Sequence, residues 1–193
     1  KKGFKEYTIG MKLSAGDKIY RINRGKAVIA AIIGSEPIES GVRLCAAHID
    51  SPRLDLKQFP LYEDSEMALF KTHYYGGIKK YQWTAIPLSL HGVIIKSDNS
   101  SVKVNIGEDE NDPVFCVTDL LPHLATEQMK RNLAQGIKGE ELNIVVGSRP
   151  FKDDEASEAV KLNILNILNE KYGIIEDDFI SAELEAVPAF KSK

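Results

Sequence analysis

The feature that most constrains this chain is its run of strand-length apolar segments, punctuated by turn residues, against a single long segment of helical period. Residues 17–22, 26–33, 42–49, 67–75, 84–95, 102–106, 142–146 and 179–187 are short apolar or alternating runs of the strand type. Asn23-Arg24-Gly25 joins the first two as a hairpin signal, because Asn and Gly tolerate positive φ. The 42–49 run is almost continuously apolar, which predicts a strand buried on both faces in a sheet covered by helices. Pro87 cannot donate to a ladder and marks a strand start, an edge or a bulge. Helical spacing is sustained over 155–172, where Val160, Ile164, Ile167 and Leu168 recur on one face. Asp153 and Asp154 precede that segment and Gly173 follows as a C-cap. A shorter helix is expected within 120–134, with Thr118 or Asp119 as its cap and Pro122 in its first turn.

That order predicts a β-rich block inserted into an α/β domain, with 193 residues sufficient for one large domain or two small ones. The expected division is 1–60 in the α/β part, 61–152 in the β-rich insert and 153–193 back in the α/β part. The opening at Lys1 without an initiator Met and the strand-like close read as cuts through a larger fold.

Composition excludes some partners. The net charge of -3 with Lys and Arg scattered along the chain leaves no basic stripe for nucleic acid. No apolar run approaches the roughly 18–20 residues that cross a bilayer, so no membrane partner is expected. Residues 1–11 have no apolar core of the signal-peptide kind. Cys45 and Cys116 each lie in an apolar run, outside any CxxC pair. They are expected as buried, reduced thiols of a cytoplasmic protein rather than a disulfide or a zinc site.

Chemistry concentrates in Ala46-Ala47-His48-Ile49-Asp50-Ser51-Pro52. Side chains two apart on a strand project to one side, so the Asp50 carboxylate can hold one imidazole nitrogen of His48 and leave the other for a metal. Ligands at strand ends are also where open α/β sheets place their sites. His-x-Asp alone is common, and such a strand-end pair is more often a structural hydrogen bond than a metal site. Other candidates have plainer readings. His73 is expected at the surface or an interface, and His91 as a hydrogen-bonded strand histidine. Gly76-Gly77 reads as a bend rather than a phosphate loop. Tyr74, Tyr75, Tyr81 and Trp83 read as a core or interface cluster. The acidic stretch 107–113 reads as a solvated turn, since it lacks the ligand spacing of a calcium loop.

The segment His48-Ile49-Asp50-Ser51-Pro52-Arg53-Leu54-Asp55-Leu56-Lys57 resembles the His-x-Asp-Ser-Pro-x-Leu-x-x-Lys signature of the aspartyl aminopeptidase (aminopeptidase I) family. The similarity continues at Tyr74-Tyr75-Gly76-Gly77-Ile78, at Trp83, and at Pro87-Leu88-Ser89-Leu90-His91-Gly92. It resumes at Leu121-Pro122-His123-Leu124-Ala125 and in residues 179–188. The resemblance implies a two-zinc exopeptidase that removes N-terminal residues, often Asp or Glu, from peptides. It also implies an α/β catalytic domain interrupted by a β-rich, barrel-like dimerisation domain, and homo-oligomers that grow from dimers to dodecamers. His48 would be a zinc ligand and Asp50 its orienting carboxylate. His123 would reach a neighbouring subunit's active site and touch substrate there.

Two departures stand out. Where many members carry Trp-Phe-Asp-Arg-Asp-Leu, this chain has Trp83-Thr84-Ala85-Ile86-Pro87-Leu88, which removes charge bearing on acidic selectivity. The remaining metal ligands and the general base that the resemblance implies have no counterpart in residues 155–193. A catalytic zinc usually needs about three protein ligands, so the segment alone is expected to be inactive. The alternatives are a non-catalytic oligomerisation module and a related two-zinc peptidase of different specificity.

Overall fold

The computed structural model describes residues 2–152 and 157–190, which fall into two compact units, Lys1–Ile49 and Asp50–Lys193. This line falls ahead of the 60/61 boundary set from the sequence.

In the first unit, β1 (Lys5–Glu6), β2 (Lys18–Asn23) and β3 (Ala27–Ile32) form a three-stranded sheet in that order. The hairpin between β2 and β3 forms where expected, with positive φ at Arg24 and Gly25 and Lys26 N–H donating to the Asn23 carbonyl at 3.1 Å. That is the primed turn whose twist suits a two-residue hairpin. The expected strand over 42–49 is absent: the segment has no ladder, Leu44 is 84% exposed, and Cys45 is exposed rather than buried. An apolar run becomes a buried strand only when neighbouring strands accept its backbone groups, and none of the described strands does so.

The second unit is a seven-stranded antiparallel sheet. Its strands are β4 (Arg53–Asp64), β5 (Met67–Tyr75), β6 (Leu88–Ile95), β7 (Ser101–Ile106), β8 (Cys116–Val117), β9 (Ile144–Gly147) and β10 (Ala182–Pro188). The spatial order is β7-β6-β10-β4-β5-β9-β8. The chain's last described strand therefore lies between the hairpins β6/β7 and β4/β5, paired with β6 over Ala182↔Ile94 to Pro188↔Leu88. Residues set down from the sequence as a return to the α/β part thus contribute a central strand to this sheet. Gly92 permits the close approach. At φ 140, a Cβ there would sit 2.0 Å from the Glu183 carbonyl oxygen.

Strand β4 went unrecognised in the sequence. Its turn into β5 uses Ser65 and Glu66, both at positive φ, instead of Asn-Gly. Register also slips between Leu56 and Leu61, where Phe59 takes φ 48 ahead of Pro60. Such a bulge breaks alternation and bends the strand.

The core holds Leu54, Leu88, Ile94, Leu142 and Ile144, with Phe70 meeting Phe179 edge-on at 5.8 Å. Over it lies α2 (Ala159–Tyr172), with Val160 buried and Ile164 and Leu168 half-buried. Asp153 and Asp154, which precede the helical segment in the sequence, lie outside the described residues. Within them, Glu63 at the end of β4 accepts the N–H groups of Val160 and Lys161, each at 2.9 Å. A carboxylate there satisfies orphan donors and faces the positive end of the helix. Gly173 closes α2 in the left-handed conformation, as its position predicts, and its N–H reaches the Asn169 carbonyl at 2.8 Å.

The helix expected within 120–134 shrinks to α1 (Thr126–Met129), preceded by Ala125 without a side-chain cap. Asp119 instead accepts from its neighbour Leu120 and from the Gln128 side chain, while Asn132 accepts from Gln135 N–H. Such local side-chain bonds compete with helix formation.

Candidate functional site

Strand register builds one polar arrangement beside the His-x-Asp segment. Arg53 opens β4 and stands opposite Tyr75, the last residue of β5. Arg53 and Asp55 share a face of β4, and Glu185 of β10 stands opposite Asp55. The four side chains meet there. Arg53 Nε donates to Asp55 Oδ1 at 2.7 Å and pairs with Glu185 Oε2 at 2.9 Å. Its guanidinium carbon lies 4.0 Å from the centre of the Tyr75 ring. The Tyr75 hydroxyl then donates to Asp50 Oδ2 at 2.8 Å. Burial pulls the Arg53 pKa down, but the Asp55 and Glu185 carboxylates outweigh it and hold the guanidinium above its ordinary value. The bond to Asp50, and that carboxylate's charge, push the Tyr75 phenol above its ordinary range.

His48 lies exposed in the irregular segment that closes the first unit. His123 lies exposed in the turn where the Leu124 and Ala125 N–H groups both reach the Leu121 carbonyl. Around it Leu120, Leu121, Leu124, Met129 and Leu133 are also exposed. Among the described residues no group of three His, Cys, Asp or Glu side chains could hold a metal ion. A histidine with a carboxylate two residues on has the chemistry of a zinc ligand and its orienter, but the described residues do not complete a zinc centre.

His91 sits 3.0 Å from Ser89 Oγ and 3.3 Å from Glu108, which suggests a nucleophile, a base and a carboxylate. Both partners meet the same nitrogen, Nε2, whereas a working relay takes them on opposite nitrogens. Ser89 is also 1% exposed, so the group is structural. His73 is exposed and stacks on Tyr74 at 5.6 Å, and Trp83 enters the core. The acidic stretch is a self-contained turn in which Asp112 accepts the Gly107 N–H at 2.9 Å. A cavity of about 220 Å³ lies under α2, but its walls are almost wholly apolar, including Phe70, Leu90, Ile94, Ile164 and Leu168. It offers no convergent polar groups for hydrolysis. Missed from the sequence were Tyr75 and Arg53 as neighbours of Asp50, since their meeting depends on cross-strand register.

The family model of the aminopeptidase I zinc metalloproteases (M18) matches residues 1–193, and the chain belongs to that family. It is 58% identical over 184 residues to the probable M18 family aminopeptidase 1 of Clostridium acetobutylicum, a match covering 95% of this chain and 40% of the relative. The crystal structure of the M18 aminopeptidase from Thermotoga maritima superimposes with a TM-score of 0.81 at 50% identity, over 91% of this chain and 38% of that one. Aminopeptidase I from Clostridium acetobutylicum gives 0.79 at 56% identity, over 91% and 39%. A dodecamer from S. cerevisiae is similar in fold alone, with a TM-score of 0.54 at 21% identity. The chain spans about 40% of the length of the curated relatives it matches. No described helix is long and apolar enough to cross a membrane.

Proposed function

We propose that the chain is a segment of a zinc-dependent aminopeptidase that removes N-terminal residues from peptides in the cytoplasm. The observation that carries this reading is the 58% identity over nearly the whole chain to a relative named an M18 aminopeptidase. In this reading Lys1–Ile49 is part of an α/β catalytic domain, and the seven-stranded sheet belongs to the inserted dimerisation domain. His48 is a zinc ligand, and Asp50 orients its imidazole. His123 serves a neighbouring subunit's site, and the exposed leucines beside it suit a subunit contact. Assembly proceeds through dimers to a larger oligomer, as in the distant dodecamer. A preference for Asp or Glu at the substrate N-terminus is the family tendency, set against the uncharged Thr84-Ala85-Ile86 stretch.

Zinc would supply a polarised carbonyl and an activated water in the complete protein. The residues here contribute one ligand, its orienting carboxylate and a substrate contact, so the segment by itself is inactive. A second reading, an assembly module without catalysis, is favoured by the exposed Leu120, Leu121, Leu124, Met129 and Leu133.

One experiment separates these readings. The full-length protein should hydrolyse aminoacyl peptides and lose activity to a chelator, while the 193-residue segment does neither. His48→Ala in the full-length protein should cut turnover by more than about 100-fold with the oligomer intact on sedimentation. Mixing His48→Ala subunits with His123→Ala subunits should restore part of it. Undiminished turnover in His48→Ala would remove the ligand assignment, and no recovery on mixing would remove the role of His123 across the interface. A full-length protein that assembles but never hydrolyses peptides would favour the second reading.

A further inference from the structure

We propose that Tyr75, held in place by Arg53, is a positioning residue for the Asp50 carboxylate. The inference rests on the reading of His48 and Asp50 as part of a peptidase site and deepens it.

Asp50 lies in an irregular segment just ahead of β4. Tyr75 meets it from regular structure, as the last residue of β5 in register with Arg53. The ring is covered on one face by the guanidinium at 4.0 Å. That guanidinium is fixed in turn by Asp55 on β4 and Glu185 on β10, at 2.7 and 2.9 Å. Three adjacent strands therefore set where the hydroxyl points, and the hydroxyl sets where Asp50 Oδ2 sits.

The identity of the donor matters. Tyr75 donates through a phenol hydroxyl whose pKa lies above its ordinary value, so the bond to Asp50 Oδ2 runs from tyrosine to carboxylate. Arg53 Nε is taken up by Asp55 and Glu185, which holds the guanidinium over the Tyr75 ring. An orienting carboxylate in a fixed place raises the basicity of an imidazole and sets its tautomer. The aromatic residue thus ties Asp50 to the sheet.

The test is Tyr75→Phe in the full-length protein, which keeps the ring beneath Arg53 and deletes only the hydroxyl. The expected result is a kcat lower by about 10-fold with KM nearly unchanged, and zinc affinity in chelator competition weaker by about 10–100-fold. The visible absorption of the cobalt-substituted protein should shift, while the melting temperature stays put. A merely structural tyrosine would leave the cobalt spectrum and zinc affinity at their wild-type values, and that result overturns the proposal. His48→Ala measured alongside separates the two failures. If it also leaves zinc affinity untouched, the zinc-site reading itself falls. If only Tyr75→Phe is silent, the positioning role falls alone.

Discussion

Ile29 in the three-stranded sheet is 70% exposed, whereas Leu54 and Leu88 in the seven-stranded sheet are completely buried. Both sheets carry β-branched runs, Ala27–Ile32 in the first and Leu88–Ile95 in the second, so intrinsic strand preference does not separate them. The second sheet has a layer to pack against, with α2, the link after it and the 3₁₀ segment Glu176–Ser181 delivering Val160, Ile174 and Phe179 in turn into one core. The first has only the 3₁₀ turn Ile38–Ser40 among its described residues, and its strands stay open on both faces. Local turn chemistry suffices to make a hairpin, but burial requires a second layer. His48 follows the poorly covered sheet, and the Tyr75–Arg53 anchor belongs to the well-covered one.

The largest test of this contrast is truncation of apolar residues in each sheet. Leu54→Ala and Leu88→Ala should each destabilise the second unit by about 2–5 kcal/mol. Val28→Ala and Ile29→Ala in this chain should stay within about 0.5 kcal/mol. Amide hydrogen exchange reads both sheets at once, and equal costs in the two would dissolve the distinction. A smaller effect isolates the tie between helix and sheet. Glu63→Ala removes the acceptor for two N–H groups of α2 and should cost about 1 kcal/mol, seen as a lower urea midpoint. An unchanged midpoint would mean that packing alone holds α2 down.

The smallest effect is local and depends on pH. The N–H groups of Gly107, then Asp109, hold the Asp112 carboxyl below its ordinary value. With the folded pKa lowered, the stabilisation is complete above the unfolded value of about 3.9 and fades as pH falls through the folded one. The Gly107 amide resonance should therefore move only in acid below about pH 3.9, with the rest of the second sheet unaffected. Movement centred above that pH would contradict the bond.

Much of this fold was legible wherever the signal was local. The Arg24-Gly25 hairpin, the extent of β5 and the Gly173 cap follow from neighbouring residues. Strand β4 was hidden because Ser65 and Glu66 are unusual at positive φ, and because the Phe59 bulge breaks its alternation. Residues 42–49 misled in the opposite direction, since apolarity signals a need for burial without saying what meets it. The proposed roles of His48, Asp50 and His123 come from resemblance to a family motif. The Tyr75 bond does not, because it rests on a register between strands that pattern alone does not specify.

The central place of β10 has a consequence for any shortened form of this chain. Between β6 and β4 it covers two rows of backbone donors and acceptors that face each other across the gap it fills. A chain ending ahead of Ala182 would retain both hairpins and present two unpaired inner edges, each flanked by leucines from the core. Exposed edges of that kind recruit strands from other molecules. The last described strand therefore shields two inner sheet edges, and a chain shortened ahead of it would leave both open to strands of other molecules.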